Sequence, residues 1–345
     1  MRITRPRSTS NVDPRKGERG VSFIEMMVAL TLMMVVSAIY YGLFIGTMEI
    51  NVFLESHNDM TTIGQRSVNL IKDEISQSRL LFQENTLGQS YRSAMTLPSV
   101  RPPLSGSLLP IIDPTGVIEP DGGTRRVGNS LLVAREELPL SIWVDHDADS
   151  GTADVEFLAD LVRLEYFYLS YNYDRSFMGN GYYVDLVRAS SVVYADYFQL
   201  SGLTAAIGQL VGTQLNAQGI TMAWDPTLTA DQAFFTISGS GVLSGPVATT
   251  IDMSDFRSLM PEFRGGSIQG KIDYSVGIQA DPPLPIPESV NLFAQRSGDF
   301  PGGFETLIVG PSSSRKVFSR LVLVGSHGVK VDSAVNTVIA TTAEF

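Results

Sequence analysis

The sequence predicts an α+β protein in which one long N-terminal helix, part transmembrane and part amphipathic, packs on antiparallel β-sheet, with extended β-rich insertions in the body. Three observations carry this. Residues 26–46, MMVALTLMMVVSAIYYGLFIG, run without a single charge. A helical spacing of apolar residues continues from there to about residue 83. Beyond residue 90 the texture changes to short segments rich in β-branched and aromatic residues, split by Gly, Pro, Asn and Asp.

The chain has 345 residues, 43% of them hydrophobic, enough for one large domain or two small ones. Charged residues make up 18%, below the roughly 25% of soluble domains. Cysteine is absent, which excludes disulfides, thiolate metal sites and cysteine catalysis. The three histidines, His57, His146 and His327, are far apart in sequence. The formal charge of −11 divides into +4 on the first 20 residues and −15 on the rest. So acidic a body argues against nucleic-acid binding, because phosphate contacts need clustered Lys and Arg. The basic head reads as a targeting segment, outside the fold.

At about 1.5 Å per residue, a helix over residues 26–46 spans the roughly 30 Å hydrocarbon core of a bilayer. The basic cluster lies on its N-terminal side, so the N-terminus is expected in the cytoplasm and the body is expected to be exported. Tyr40 and Tyr41 fit an interfacial position near the far end. A cleaved secretory signal would have a shorter apolar stretch and an A-x-A-like site after it, and TMEINVFLESHN offers none.

What precedes the apolar run is more specific. Lys16-Gly17-Glu18-Arg19-Gly20 leads into Val21-Ser22-Phe23-Ile24-Glu25, placing a small residue before the run and a lone carboxylate just inside it. G-V-S-F-I-E-M-M-V-A-L resembles the class III leader shared by type IV pilins and type II secretion pseudopilins. The resemblance covers under a tenth of the chain. It implies that a prepilin peptidase cuts after Gly20 and methylates the new amine on Val21, and that Glu25 takes the place of the family's glutamate near the new N-terminus. Val21 stands where phenylalanine or another hydrophobic residue is more usual, a tolerated departure, and the leader is longer than many. The implied organisation is a leader (1–20), a transmembrane or filament-core half-helix (21–47), an amphipathic half-helix (48–84) and an exported β-rich domain (85–345). The implied partners are other pilins or pseudopilins, the prepilin peptidase and the inner-membrane assembly platform. The implied location is the bacterial cytoplasmic membrane, crossed once, with the body periplasmic or extracellular, and the implied role is structural rather than enzymatic.

The physics of Glu25 agrees with that resemblance. A carboxylate at the centre of a membrane helix costs about 2.5–3.5 kcal/mol on insertion scales, and less near the edge. Such a residue is a functional candidate, and the ammonium created by cleavage at Gly20 is its natural partner. Pairing with the Val21 amine of a neighbouring subunit would remove two unpaired charges from an apolar filament core.

Past the membrane, Met60, Ile63, Val68, Leu70, Ile71 and Ile75 share one arc of a helix, with Arg66, Asn69, Lys72 and Asp73 opposite and Glu74 at the edge of the apolar arc. One helix is expected from about 22 to 83, bent at Gly42, Gly46 or Gly64, with QENTLGQ (83–89) ending it as a turn. Residues 96–123 read as a Pro-rich loop. The expected strands are NSLLVAREE, LSIWVDH, ADVEFLA, VRLEYFYLSY, YVDLVRASSVVYADYFQL, QAFFTISG, KIDYSVGIQ, ETLIVG and KVFSRLVLVG. Residues 203–219 read as a short helix and DPPLPIPE (281–288) as a polyproline connector. The stripe Tyr166, Phe167, Tyr168, Tyr171 and Tyr173 reads as sheet core and edge. LVRLEYFYLSY (161–171) and SSSRKVFSRLVLVGS (312–326) are similar to segments of large minor pseudopilins of the J type and PilW-like minor pilins. With the length of the chain, that favours a minor subunit over a major one.

One motif carries metal chemistry. Asp145, Asp147 and Asp149, followed by Glu156, have the alternating carboxylate spacing of a calcium loop. Ser150 stands where such a loop wants Gly, and the residues after it read as strand, so a solvated acidic turn competes with a calcium site. No cofactor is required. Nucleophile-elbow, P-loop, zincin and dinucleotide motifs are absent, and GSGVLSG (239–245) reads as a loop. The rival to an assembly subunit is an exported, adhesin-like binding module that uses the pilin helix only as an anchor.

Overall fold

The computed structural model describes residues 22–114, 127–144, 155–177, 181–240, 242–259, 272–276, 303–311, 314–327 and 335–344. It is α+β, with one 54-residue helix, α1 (Phe23–Ser76), and a curled, largely antiparallel sheet. The chain divides into two compact units, Met1–Glu55 and Ser56–Phe345, with the boundary inside α1. The helix runs unbroken through Gly42, Gly46 and Gly64.

In the second unit α1 buries the arc read from the sequence. Val68 is 2% exposed and Ile71 and Ile75 are fully buried, while Arg66, Asn69, Lys72 and Asp73 face solvent. Ser67 joins the buried face by donating its hydroxyl to Leu259 O at 3.1 Å. The helix stops at Ser76 rather than near 83. Ser76 and Ser78 donate their hydroxyls to Asp73 O and Ile75 O, occupying carbonyls of the last turn. The following Ser78–Leu81 becomes strand β1 and pairs with β3. Its leucines suit either a helix or a strand, and pairing decides. Residues 83–89 are also not merely a turn. Asn85 Oδ1 accepts from Gly88 N at 2.9 Å and caps helix α2 (Thr86–Ala94). Gly88 has no substitute there, because a Cβ would lie 2.1 Å from Gln83 O.

The strands then run β2 (Met95–Thr96), β3 (Leu131–Val144), β4 (Val155–Phe177) and β5 (Gly181–Asp196), followed by helices α3 (Tyr197–Ser201) and α4 (Ala205–Ala217). The expected short helix at 203–219 is α4. Next come β6 (Met222–Trp224), β7 (Phe234–Ile237), β8 (Leu243–Ser244), β9 (Ile251–Asp252), β10 (Asp255–Ser258), β11 (Ile272–Val276), β12 (Phe304–Val309), β13 (Lys316–His327) and β14 (Val335–Glu344). Four expected strands fuse into two. NSLLVAREE and LSIWVDH form β3, continuous across a bulge between Glu137 and Leu140 that accommodates Pro139. ADVEFLA and VRLEYFYLSY form β4. The Gly-rich 239–245 segment turns a short hairpin, with Ser238 N bonded to Val242 O.

The main sheet has the order β1-β3-β4-β5-β6-β7-β8, with β10 also on β5, and β5–β6 is a parallel pair inside it. A second sheet is centred on β13, which pairs with β14 along 316–325, with β12 along 316–321 and with β11 along 323–327. The short strands β2 and β9 form a separate parallel pair.

Alternation along β4 gives the main sheet two buried faces. Tyr166 and Tyr168 are fully buried on one, their rings stacked 5.0 Å apart, and belong to a cluster with Phe82, Tyr91, Tyr194, Trp224 and Phe234. Phe167 is fully buried on the other, and Tyr173 is exposed. Trp224 Nε1 donates to Tyr91 OH at 2.7 Å and Tyr91 OH to Leu228 O at 3.1 Å, so both polar tips are satisfied inside the core. A further cluster, with Ile142, Leu161, Val211 and Leu215, seats α4 on the β3–β4 hairpin.

Candidate functional site

The candidate site is the start of α1. Ser22 precedes the helix, and its carbonyl accepts the first helical bond, from Met26 N at 3.0 Å. Its hydroxyl accepts from Ile24 N at 3.3 Å, while Glu25 Oε2 accepts from Ser22 N at 2.9 Å. This is a reciprocal capping box, and it satisfies two donors that a helix start otherwise leaves bare. The S-x-x-E spacing that builds it is visible in the sequence, although Glu25 first attracts attention as a charge among apolar residues. Glu25 thus has a task within its own chain, with its negative charge at the favourable end of the helix dipole.

From Phe23 to Asn51 the helix is long and apolar enough to cross a membrane, and in the span's most apolar 18-residue stretch no residue is buried. Phe23, Ile24, Met34, Tyr40 and Tyr41 are each about seven-tenths exposed. Thr31 and Thr47 donate their hydroxyls to Met27 O and Leu43 O one turn back, so neither needs water. A surface this apolar requires lipid or other apolar helices around it.

Gly20 and Val21 lie outside the described residues, and so do Asp145, Asp147 and Asp149 of the calcium-like loop. Glu156 sits in β4 opposite Trp143, with its Oε1 accepting from Ser141 Oγ at 2.6 Å. Among the described residues no group of three or more His, Asp or Glu side chains could hold a metal ion.

The comparisons agree with this geometry. The family model for the prokaryotic N-terminal methylation motif matches residues 15–41, a span that takes in Arg15, Lys16 and Arg19 before the helix, the capping box and most of the apolar run. That motif is the signature of type IV pilins and pseudopilins. Neither curated proteins nor solved structures give a match. The N-terminus thus carries the motif of type IV pilins and pseudopilins, a family that is structural, and the match supports a pilin-like prepilin-peptidase substrate whose apolar helix fits a membrane-anchored pilin.

Proposed function

We propose that the chain is a minor pilin or pseudopilin subunit. A prepilin peptidase cleaves it after Gly20 and methylates Val21, and it enters a type II secretion pseudopilus or type IV pilus through its N-terminal helix. The observation that carries this reading is the exposed apolar helix that opens on a capping carboxylate, Glu25, inside the methylation motif. In the filament the lipid-facing surface of residues 23–51 exchanges lipid for the same segment of neighbouring subunits, and Glu25 pairs with the Val21 amine of one of them. The ammonium competes with Ser22 N for the carboxylate, and a charged donor binds it more strongly than an amide. The β-rich body supplies the surface that distinguishes this subunit from the repeating one.

Gly20→Ala tests the processing step. The variant is expected to remain at precursor mass and to be missing from the sheared filament fraction. Mature-sized protein from the Gly20→Ala gene would overturn the assignment of the cleavage site.

A further inference from the structure

The β3–β4 hairpin extends beyond the stretch of β4 that pairs with β5, which runs from Leu161 to Phe177. Along this arm the side of β4 away from β3 is closed by Gln199 of α3. Its Oε1 accepts from Asp160 N at 2.8 Å and its Nε2 donates to Leu158 O at 2.7 Å. One face of the arm, with Ile142, Phe157 and Ala159, packs with α4. The other carries Ser141, Trp143, Glu156, Leu158 and Asp160. Further along β4 the same face buries Val162, Leu164, Tyr166 and Tyr168 in the aromatic cluster, but on the arm it is open, with Trp143 58% and Leu158 50% exposed. A solvated sheet face ordinarily carries polar side chains at such positions. The register sets Trp143 opposite Glu156 and Ser141 opposite Leu158, so Trp143 and Leu158 are diagonal neighbours on one surface.

We propose that this outer face of the β3–β4 arm is a docking site for another protein, one that presents arginine or lysine beside apolar side chains. Tryptophan is prominent among the residues that carry the energy of protein contacts, and the face of its indole attracts a cation. The charges around Trp143 select the same partner. Glu156 and Asp160 flank the apolar pair, and among the described residues neither has an ion-pair partner. The next arginine along β4, Arg163, is held by Glu137 at 3.1 Å. Ser141 Oγ donates to Glu156 Oε1 at 2.6 Å, which fixes that carboxylate on the face and leaves its charge in place. The backbone beneath is tied by β3 on one side and by Gln199 on the other, so docking has little left to order. A second copy of this chain is a poorer occupant. A two-fold contact would set Glu156 and Asp160 against the same residues, and the chain beyond residue 20 is acidic throughout its net charge. The face belongs to the body alone, and its docking holds whether or not the anchor enters a filament.

Trp143 reports on its own site, because the only other tryptophan, Trp224, is buried in the core. The full chain in a non-ionic detergent is titrated with the capped peptide acetyl-Leu-Arg-Leu-Arg-Leu-amide while tryptophan emission is followed, with the peptide carrying glutamate in place of arginine as control. The arginine peptide should shift the emission to the blue and saturate, and added salt should weaken it. The double variant Glu156→Gln, Asp160→Asn keeps the shape and loses the charge, and should bind about three- to tenfold more weakly, as two exposed ion pairs would. Emission that does not move, an equal response to the glutamate peptide, or undiminished affinity in the double variant would each overturn the proposal. A blue shift on concentrating the chain without peptide would assign the face to a second copy instead, and would overturn it too.

Discussion

At the scale of single residues, Glu25 combines two tasks that substitutions can separate. Inside its own chain it caps the helix through Ser22 N, and between chains it is proposed to meet an ammonium. Glutamine can do the first and not the second, because a capping box accepts either side chain. Glu25→Gln and Glu25→Ala are both expected to be cut after Gly20 and both to be depleted from sheared filaments. Only the alanine variant should show faster amide exchange over Phe23–Met26, in line with the roughly 0.5–2 kcal/mol carried by a helix cap. Normal incorporation of Glu25→Gln into filaments would remove the intersubunit pair from the account. Both tasks are legible in the sequence, one from a charge within an apolar run and the other from S-x-x-E spacing. Ser67 is not legible: nothing near it in sequence announces that its hydroxyl will reach Leu259 O, 192 positions away.

At the scale of elements, periodicity foretells the buried arc of α1, because Val68, Ile71 and Ile75 follow helical spacing whatever they pack on. Where the helix ends is a different matter. Leu80 and Leu81 pair with Ala134 and Val133, and that long-range partner cannot be read locally. The same holds for β3, where Pro139 looks like a break until a bulge absorbs it. Glu74 looks like an intrusion until Arg135 and Arg188 arrive from β3 and β5. The aromatic cluster between the sheet and α2 supports a prediction in alkali. Burial pushes the Tyr194 hydroxyl up to about 12, against a hydrogen bond with Ser191 that lowers it. Burial also holds Tyr91, Tyr166 and Tyr168 above the ordinary tyrosine range. For such groups the stabilising contribution is intact below the unfolded value of about 10 and is lost as pH rises through the native one. Tyrosinate absorbance from this cluster should therefore appear together with loss of near-UV dichroism, in one cooperative step. Ionisation of these tyrosines while the dichroism stays native would contradict their packing.

At the scale of the whole molecule, the fold class is legible because a long charge-free helix and recurrent short strands leave few alternatives. The sheet order is not, since β13 pairs not only with its chain neighbours β12 and β14 but also with β11, which lies before β12 in the sequence. The N-terminal segment is legible because its motif and its apolar run are local in sequence. The body's role depends on a surface that only partners define. A processed N-terminus is central to the proposed role, and the mass of that terminus tests it most directly. Top-down mass spectrometry of the chain, expressed with and without a prepilin peptidase, should give a protein starting at N-methylated Val21 in the first case and one retaining residues 1–20 in the second. A chain that keeps its leader in both, or is cut at any bond other than Gly20–Val21, would contradict it.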